Sequence, residues 1–178
     1  LQAESSLALF ISWEFMTIAG YTLLLRRPEA SEQAYRYMLF SLAGAFALLL
    51  GLALLGGAGI ELAPTPLLGG PQGALIAGVS QGAFSWPAGE VGFVAAALIA
   101  LAVLVKIGAL GLHIWLPGSY AEAEDETTAL FSAVFSKAPL VLLLSLLAAL
   151  TAAAAGYGPF FQLLGWIGAA TALFGALL

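Results

Sequence analysis

Residues 91–113 read VGFVAAALIALAVLVKIGALGLH, and this stretch decides the fold. It is long enough to cross a bilayer as a helix, which takes about 20 mostly apolar residues because lipid offers the backbone no hydrogen-bond partner. Its one lysine, Lys106, lies deep inside it, and Gly108 and Gly111 stand between that lysine and His113. The two glycines predict a kink or break. A broken helix at membrane depth is tolerated only where it lines a cavity or packs within protein. One stretch thus predicts a membrane span and an interior that accommodates charge.

Four more stretches have the same length and character: 5–25, 37–55, 128–155 and 160–178. Together they predict an all-α membrane protein, a polytopic transmembrane helix bundle of about five spans forming one transmembrane domain over 1–178. Composition agrees. The 178 residues are 62% hydrophobic and 8% charged, where a soluble domain carries about 25% charge. With a formal net charge of −5, the chain lacks the polar groups to cover a globular surface, which excludes a soluble enzyme. The hydrophobicity excludes disorder. The absence of Cys removes disulfides and thiolate chemistry, and five basic residues are too few to neutralise a nucleic-acid backbone. The chain starts Leu1-Gln2-Ala3 and stops inside an apolar run. It shows no signal-peptide pattern, and it reads as an excerpt of a longer membrane protein.

The connections differ in character. Residues 26–32 are polar and carry the helix breaker Pro28. Residues 56–89 are rich in Gly and contain Pro64, Pro66, Pro71 and Pro87; their apolar piece, 74–79, is too short to span and is expected outside the bilayer or re-entrant. The segment 115–127 is acidic, with Glu122, Glu124, Asp125 and Glu126, and 156–159 is a tight Gly/Pro turn. Arg26, Arg27 and Arg36 flank the first connection. The bias of basic residues toward the cytoplasm then places 26–36 and 115–127 inside and 56–90 outside.

Three ionisable residues fall within spans: Glu14, Lys106 and Lys137. A charge at the bilayer centre costs about 2.5–3.5 kcal/mol on insertion scales, and such residues mark ion or proton paths. Helical spacing puts Thr17, Ile18 and Tyr21 on the face of Glu14, two of them hydroxyl-bearing. Lys137 is followed by Ala138 and Pro139, and the proline frees the carbonyl of Phe135, with Ser132 and Ser136 nearby. His113, at the membrane edge before Trp115, reads either as an interfacial hydrogen-bonding residue or as a proton relay. A dry interior disfavours an ammonium and a neighbouring carboxylate favours it. Moving the carboxylate therefore loads or unloads a lysine, which is a proton switch. Each of the three also has a plain structural reading, as a buried tie between helices or a snorkelling lysine.

The residues that carry a resemblance are Ser12-Trp13-Glu14-Phe15-Met16, then Lys106 through His113-Ile114-Trp115-Leu116-Pro117-Gly118, then Ala129-Leu130-Phe131-Ser132 and Ser136-Lys137-Ala138. The set resembles the antiporter-like proton-pumping family: membrane-arm subunits of NADH:quinone oxidoreductase (complex I), related subunits of membrane-bound hydrogenases, and large subunits of Mrp-type antiporters. The resemblance implies the fifth to ninth of about fourteen helices, one inverted-repeat unit with a discontinuous helix. It implies Glu14 as partner of the pumping lysine, Lys106 as that lysine, and Lys137 as the residue passing protons onward. The acidic 121–127 stretch and the Ala-Pro after Lys137 depart from the complex I pattern and point toward a hydrogenase-like or Mrp-like relative.

The expected function is proton translocation through a Glu14–Lys106–Lys137 relay, with His113 beside it, in a respiratory or hydrogenase-like complex of a bacterial or archaeal inner membrane. The alternatives are a sodium/proton antiporter subunit, or a scaffold whose buried charges dock neighbouring subunits. Expected partners are the lipid bilayer, other membrane subunits and protons, with sodium as the alternative ion. No phosphate cradle, metal-ligand cluster or nucleophile–base pair is visible, so no catalytic site, cofactor or metal is expected in this chain, and redox chemistry falls to partner subunits. Small residues at 44, 47, 51, 165 and 169 are expected to serve close helix contact.

Overall fold

The computed structural model describes residues 6–57, 86–87, 89–152 and 156–177. All regular structure among them is helical: α1 (Ser6–Leu24), α2 (Ser31–Gly57), α3 (Gly89–Ile107), α4 (Leu116–Glu122), α5 (Asp125–Leu130), α6 (Ala138–Ala152) and α7 (Gly158–Leu177). A 3-10 turn, Pro28–Ala30, precedes α2, and a π-helical turn, Phe131–Phe135, follows α5. Five helical stretches are long and apolar enough to cross a membrane: Ser6–Leu24, Pro28–Gly57, Gly89–Ile107, Asp125–Thr151 and Gly158–Leu177. The bundle is that of an integral, multi-pass membrane protein. The apolar piece 74–79 and most of the connection that holds it lie outside the described residues.

Helix α2 begins at Ser31, earlier than the apolar pattern alone predicts. Pro28 opens the preceding turn with its ring-fixed φ, and Glu32 and Arg36 pair one turn apart on the polar end. Hydrophobicity marks only the part of a helix that meets lipid, so a charged first turn is invisible to it.

The centre of the bundle is the α2–α3 contact. The buried residues of α2 run Ala34, Tyr37, Ser41, Gly44, Ala45, Ala47, Leu48, Gly51, Leu52 and Leu55, one face of the helix. They meet Ala95, Ile99, Ala102 and Val103 of α3, all fully buried. Lipid tails are as apolar as leucine, so close approach rather than water exclusion holds such helices together. Gly51 provides that approach: a β-carbon there would lie 2.8 Å from Ile99 Cγ1 and 3.2 Å from the Ala95 carbonyl. Helix α1 covers one flank through Leu9 and Trp13, and α6 covers the other through Leu142, Leu146 and Leu150. Helix α7 buries only Phe160 and presents Leu163, Trp166, Leu173 and Leu177 outward.

The two ends of the bundle are held by polar contacts. At one end Arg26 pairs with Glu124 at 3.5 Å, and Gln33 Nε2 donates to Glu122 at 3.3 Å. The first connection and the acidic segment therefore lie on the same side, as the charge pattern requires of them. At the other end Tyr157 donates to the Pro87 carbonyl and Trp86 to the Gly92 carbonyl, both at 3.0 Å.

Gly51→Val should force α2 and α3 apart. Overpacking of this kind costs about 1–3 kcal/mol, and thermal unfolding of the detergent-solubilised protein should show a lowered midpoint.

Candidate functional site

Lys106 occupies the last turn of α3 and is 2% exposed. An ammonium carries three donors and no acceptor, and each finds a hydroxyl. Nζ donates to Thr17 Oγ1 at 2.9 Å, to the Tyr37 hydroxyl at 3.0 Å and to Ser41 Oγ at 3.1 Å. Thr17 comes from α1; Tyr37 and Ser41 stand one turn apart on the buried stripe of α2. Three helices thus converge on one nitrogen. The cage lies between two apolar clusters, the aliphatic one around α2–α3 and an aromatic one of Tyr37, Trp115, Phe131 and Phe135.

The helix stops immediately beyond the lysine. After Ile107 the chain makes turns until α4 starts at Leu116, so the span expected over 91–113 is helical only to Ile107. Gly108 and Gly111 have φ of +69° and +85°, the left-handed region that only glycine enters without penalty. The amides of residues 108–112 are nevertheless paired. Gly108 N donates to the Val105 carbonyl at 3.3 Å, Ala109 N to Leu104 at 2.9 Å and Leu112 N to Ala109 at 2.8 Å. Leu110 N donates to Thr171 Oγ1 of α7 at 3.1 Å. The Val105 carbonyl also accepts from the Trp115 indole at 3.0 Å. Backbone outside a helix survives at this depth when its polar groups are satisfied within the protein, and Trp115, Thr171 and the glycine turns do this. Pro117 then restarts the helix in the first turn of α4.

Glu14 lies on α1, three residues and so about 4.5 Å of helix rise from Thr17. It is half-buried, and its carboxylate couples electrostatically with Lys106 without a direct ion pair. One of its oxygens, Oε1, is buried with no hydrogen-bond partner, as is the neighbouring Trp13 indole nitrogen. The expected face of Glu14 is split: Thr17 is fully buried against the lysine, whereas Ile18 is 50% exposed.

Lys137 sits in the turn between the π-helical segment and α6 and is exposed on the described bundle. The irregularity follows from Pro139. With no proline amide to take the Phe135 carbonyl, Ser136 N reaches back to Phe131 O at 3.0 Å and Lys137 N to Val134 O at 3.1 Å. Ser136 also shares a hydrogen bond with Tyr120 of α4, whose phenol is pushed up by burial and drawn back by that bond. His113 is half-buried in the broken stretch; its Nδ1 accepts from Gly111 N at 3.2 Å, and its ring meets Phe174 of α7 at 5.6 Å. The structure brings Glu14 and Lys106 within electrostatic range. Lys137 and His113 make no hydrogen bond or ion pair with either. An apolar groove of about 550 Å³, lined by Trp13, Met16, Val134, Phe135 and Ala138, separates the Glu14 helix from the Lys137 turn.

Tyr37 and Ser41 were not legible as site residues. Their only signal is a pair of hydroxyls four residues apart on the small-residue stripe of α2, which reads equally well as packing.

A multi-pass helical bundle that buries a lysine at a helix break defines the class, a membrane protein with a charged residue in its interior. The chain belongs to the family described as "NADH:quinone oxidoreductase/Mrp antiporter, TM", which it matches over residues 3–178. It is similar to NADH-quinone oxidoreductase subunit N 1 of Sorangium cellulosum (strain So ce56), with 33% identity over 166 residues, covering 88% of this chain and 31% of that protein. It is also similar to subunit N 1 of Symbiobacterium thermophilum, with 30% identity over 139 residues, covering 76% of this chain and 27% of that protein. Among solved structures it is similar to a chain of the membrane-bound sulfane sulfur reductase, an archaeal respiratory membrane complex, with a TM-score of 0.60 and 28% identity over 80% of this chain and 22% of that one. The chain thus spans less than a third of the length of these relatives.

Gly111→Ala meets no neighbouring atom, whereas a β-carbon at Gly108 lies 2.9 Å from Leu116 Cδ1. Forcing an L-residue into the left-handed region costs about 1–2 kcal/mol. Thermal unfolding should therefore show that penalty alone for Gly111→Ala and a larger loss for Gly108→Ala.

Proposed function

We propose that this chain forms part of a proton-translocating subunit of a respiratory membrane complex, and that Glu14, Lys106 and Lys137 are the titrating steps of its path. The observation that carries the reading is the near-complete burial of Lys106 at a helix break, within electrostatic range of a carboxylate. A fully buried amine that merely joined helices would be paired with its counter-ion. Here the counter-charge stands off, one oxygen unpartnered, and the amine rests on neutral hydroxyls. Such an arrangement has two positions for the ammonium, and moving between them changes its proton affinity.

In this reading Glu14 is the mobile or fixed charge that loads Lys106. Lys137, beyond the π-turn, receives the proton and passes it toward partner helices that cover its exposed side. His113 sits on the α7 side of the break, able to pass a proton at its free ring nitrogen. The family and the named relatives support respiratory membrane complexes as the setting, and a cell-membrane location follows from it. Electron transfer belongs to partner subunits.

The test uses the full subunit in its intact complex, reconstituted in sealed vesicles. Lys106→Ala should lower proton flux on the order of 100-fold, the usual contribution of a positioned proton-transfer group. Glu14→Gln and Lys137→Met should slow flux while the complex still assembles. Full flux in the Lys106→Ala complex would leave these charges as a scaffold.

A further inference from the structure

The three hydroxyls around Lys106 are not equivalent. Thr17 Oγ1 donates its own proton to the Trp13 carbonyl at 3.1 Å, so toward the lysine it can only accept. Ser41 is hydrogen-bonded to Tyr37 as well as to Nζ. The Tyr37 hydroxyl accepts from Nζ and shares its other bond with the Ser41 hydroxyl, so its proton is not tied to a backbone carbonyl as that of Thr17 is. That matters when the lysine gives up its proton. A neutral amine has two donors and a lone pair, so one cage member must turn from acceptor to donor or leave the lone pair unmatched in a dry site. Tyr37 is the member free to turn.

We propose that Tyr37 is the positioning residue of Lys106: its hydroxyl accepts from the ammonium, donates to the amine, and so keeps the position away from Glu14 open to the side chain in either protonation state. The inference rests on the proton-path reading above and adds a residue to it. The ring of Tyr37 is locked for this task. It is fully buried and meets Trp115 at 5.1 Å and Phe131 at 5.3 Å, both edge to face. Trp115 caps the carbonyl freed at the break beside Lys106, and Phe131 opens the π-turn that leads to Lys137. On the far side Gly20 makes room: a β-carbon there would fall 2.5 Å from the Tyr37 hydroxyl oxygen. One rigid side chain therefore touches the lysine, the break and the start of the second irregular turn.

Tyr37→Phe removes the hydroxyl and keeps both ring contacts, so assembly should persist. The sign of the effect follows from the hydrogen bonds. Loss of one of three acceptors weakens the charged form most, because bonds to an ion are about twice as strong as neutral ones. The proton then leaves at lower pH. The titratable groups coupled to the ammonium are Glu14 on α1 and Tyr37 on α2, and Glu14 is unchanged in the variant. In proteoliposomes of the intact complex, the alkaline fall-off of proton flux should move down by about one pH unit, with a several-fold lower maximum. Gly20→Ala, which displaces the hydroxyl without removing it, should move the fall-off in the same direction. It decides the question if Tyr37→Phe does not assemble. An unmoved pH profile, or a loss uniform across pH, would overturn the role of Tyr37, provided Lys106→Ala lowers flux by about 100-fold. Full flux in Lys106→Ala would overturn the proton path itself.

Discussion

Everything in this bundle is arranged around the need of one ammonium for three acceptors in a place without water. Lys106 is buried among three helices, and leaving any of its donors unpaired there would cost the full desolvation penalty of a charged group. Thr17, Tyr37 and Ser41 meet that need from two helices, and α3 brings the lysine to them. For this α1, α2 and α3 must cross within hydrogen-bond reach. The small residues along the α2–α3 seam allow that crossing, and Gly20 allows the third helix to approach the Tyr37 ring.

The helix break follows from the same constraint. A regular helix would tie the carbonyls beside Lys106 into its own ladder and carry the chain straight on. By stopping at Ile107, the chain exposes the Val105 carbonyl to the Trp115 indole and turns Trp115 back against Tyr37. The broken segment is thus part of the lysine site, held at its far side by Thr171 of α7. The π-turn at Phe131–Phe135 is a second irregularity, imposed by Pro139, and its first residue packs edge to face on the same tyrosine. Two interruptions on different helices meet at one aromatic ring.

The counter-charge is placed differently. Glu14 acts on Lys106 through space while its own carboxylate keeps an unpartnered buried oxygen. A closed ion pair at this depth would be deep and static. A carboxylate held off by one turn of helix leaves the lysine a choice between neutral hydroxyls and a charge, and that choice gives the proposed switch its energetic basis.

The all-helical membrane class, the five spanning stretches, the two glycines of the break, the proline behind the second irregularity and the pair Glu14 and Lys106 were all legible in the sequence. Each depends on a local property: apolar length, backbone freedom, a missing amide, or a charge where lipid should be. The start of α2 at Ser31 was not legible, because a polar first turn carries no hydrophobic mark. The partners of Lys106 were beyond sequence reasoning for a deeper reason. Tyr37 and Ser41 lie on the small-residue stripe of α2, and nothing in their spacing distinguishes a hydroxyl that binds from one that packs. Only the crossing of α1, α2 and α3 decides which hydroxyls meet the ammonium, because a hydrogen bond is set by distances of a few tenths of an ångström between side chains far apart in the chain.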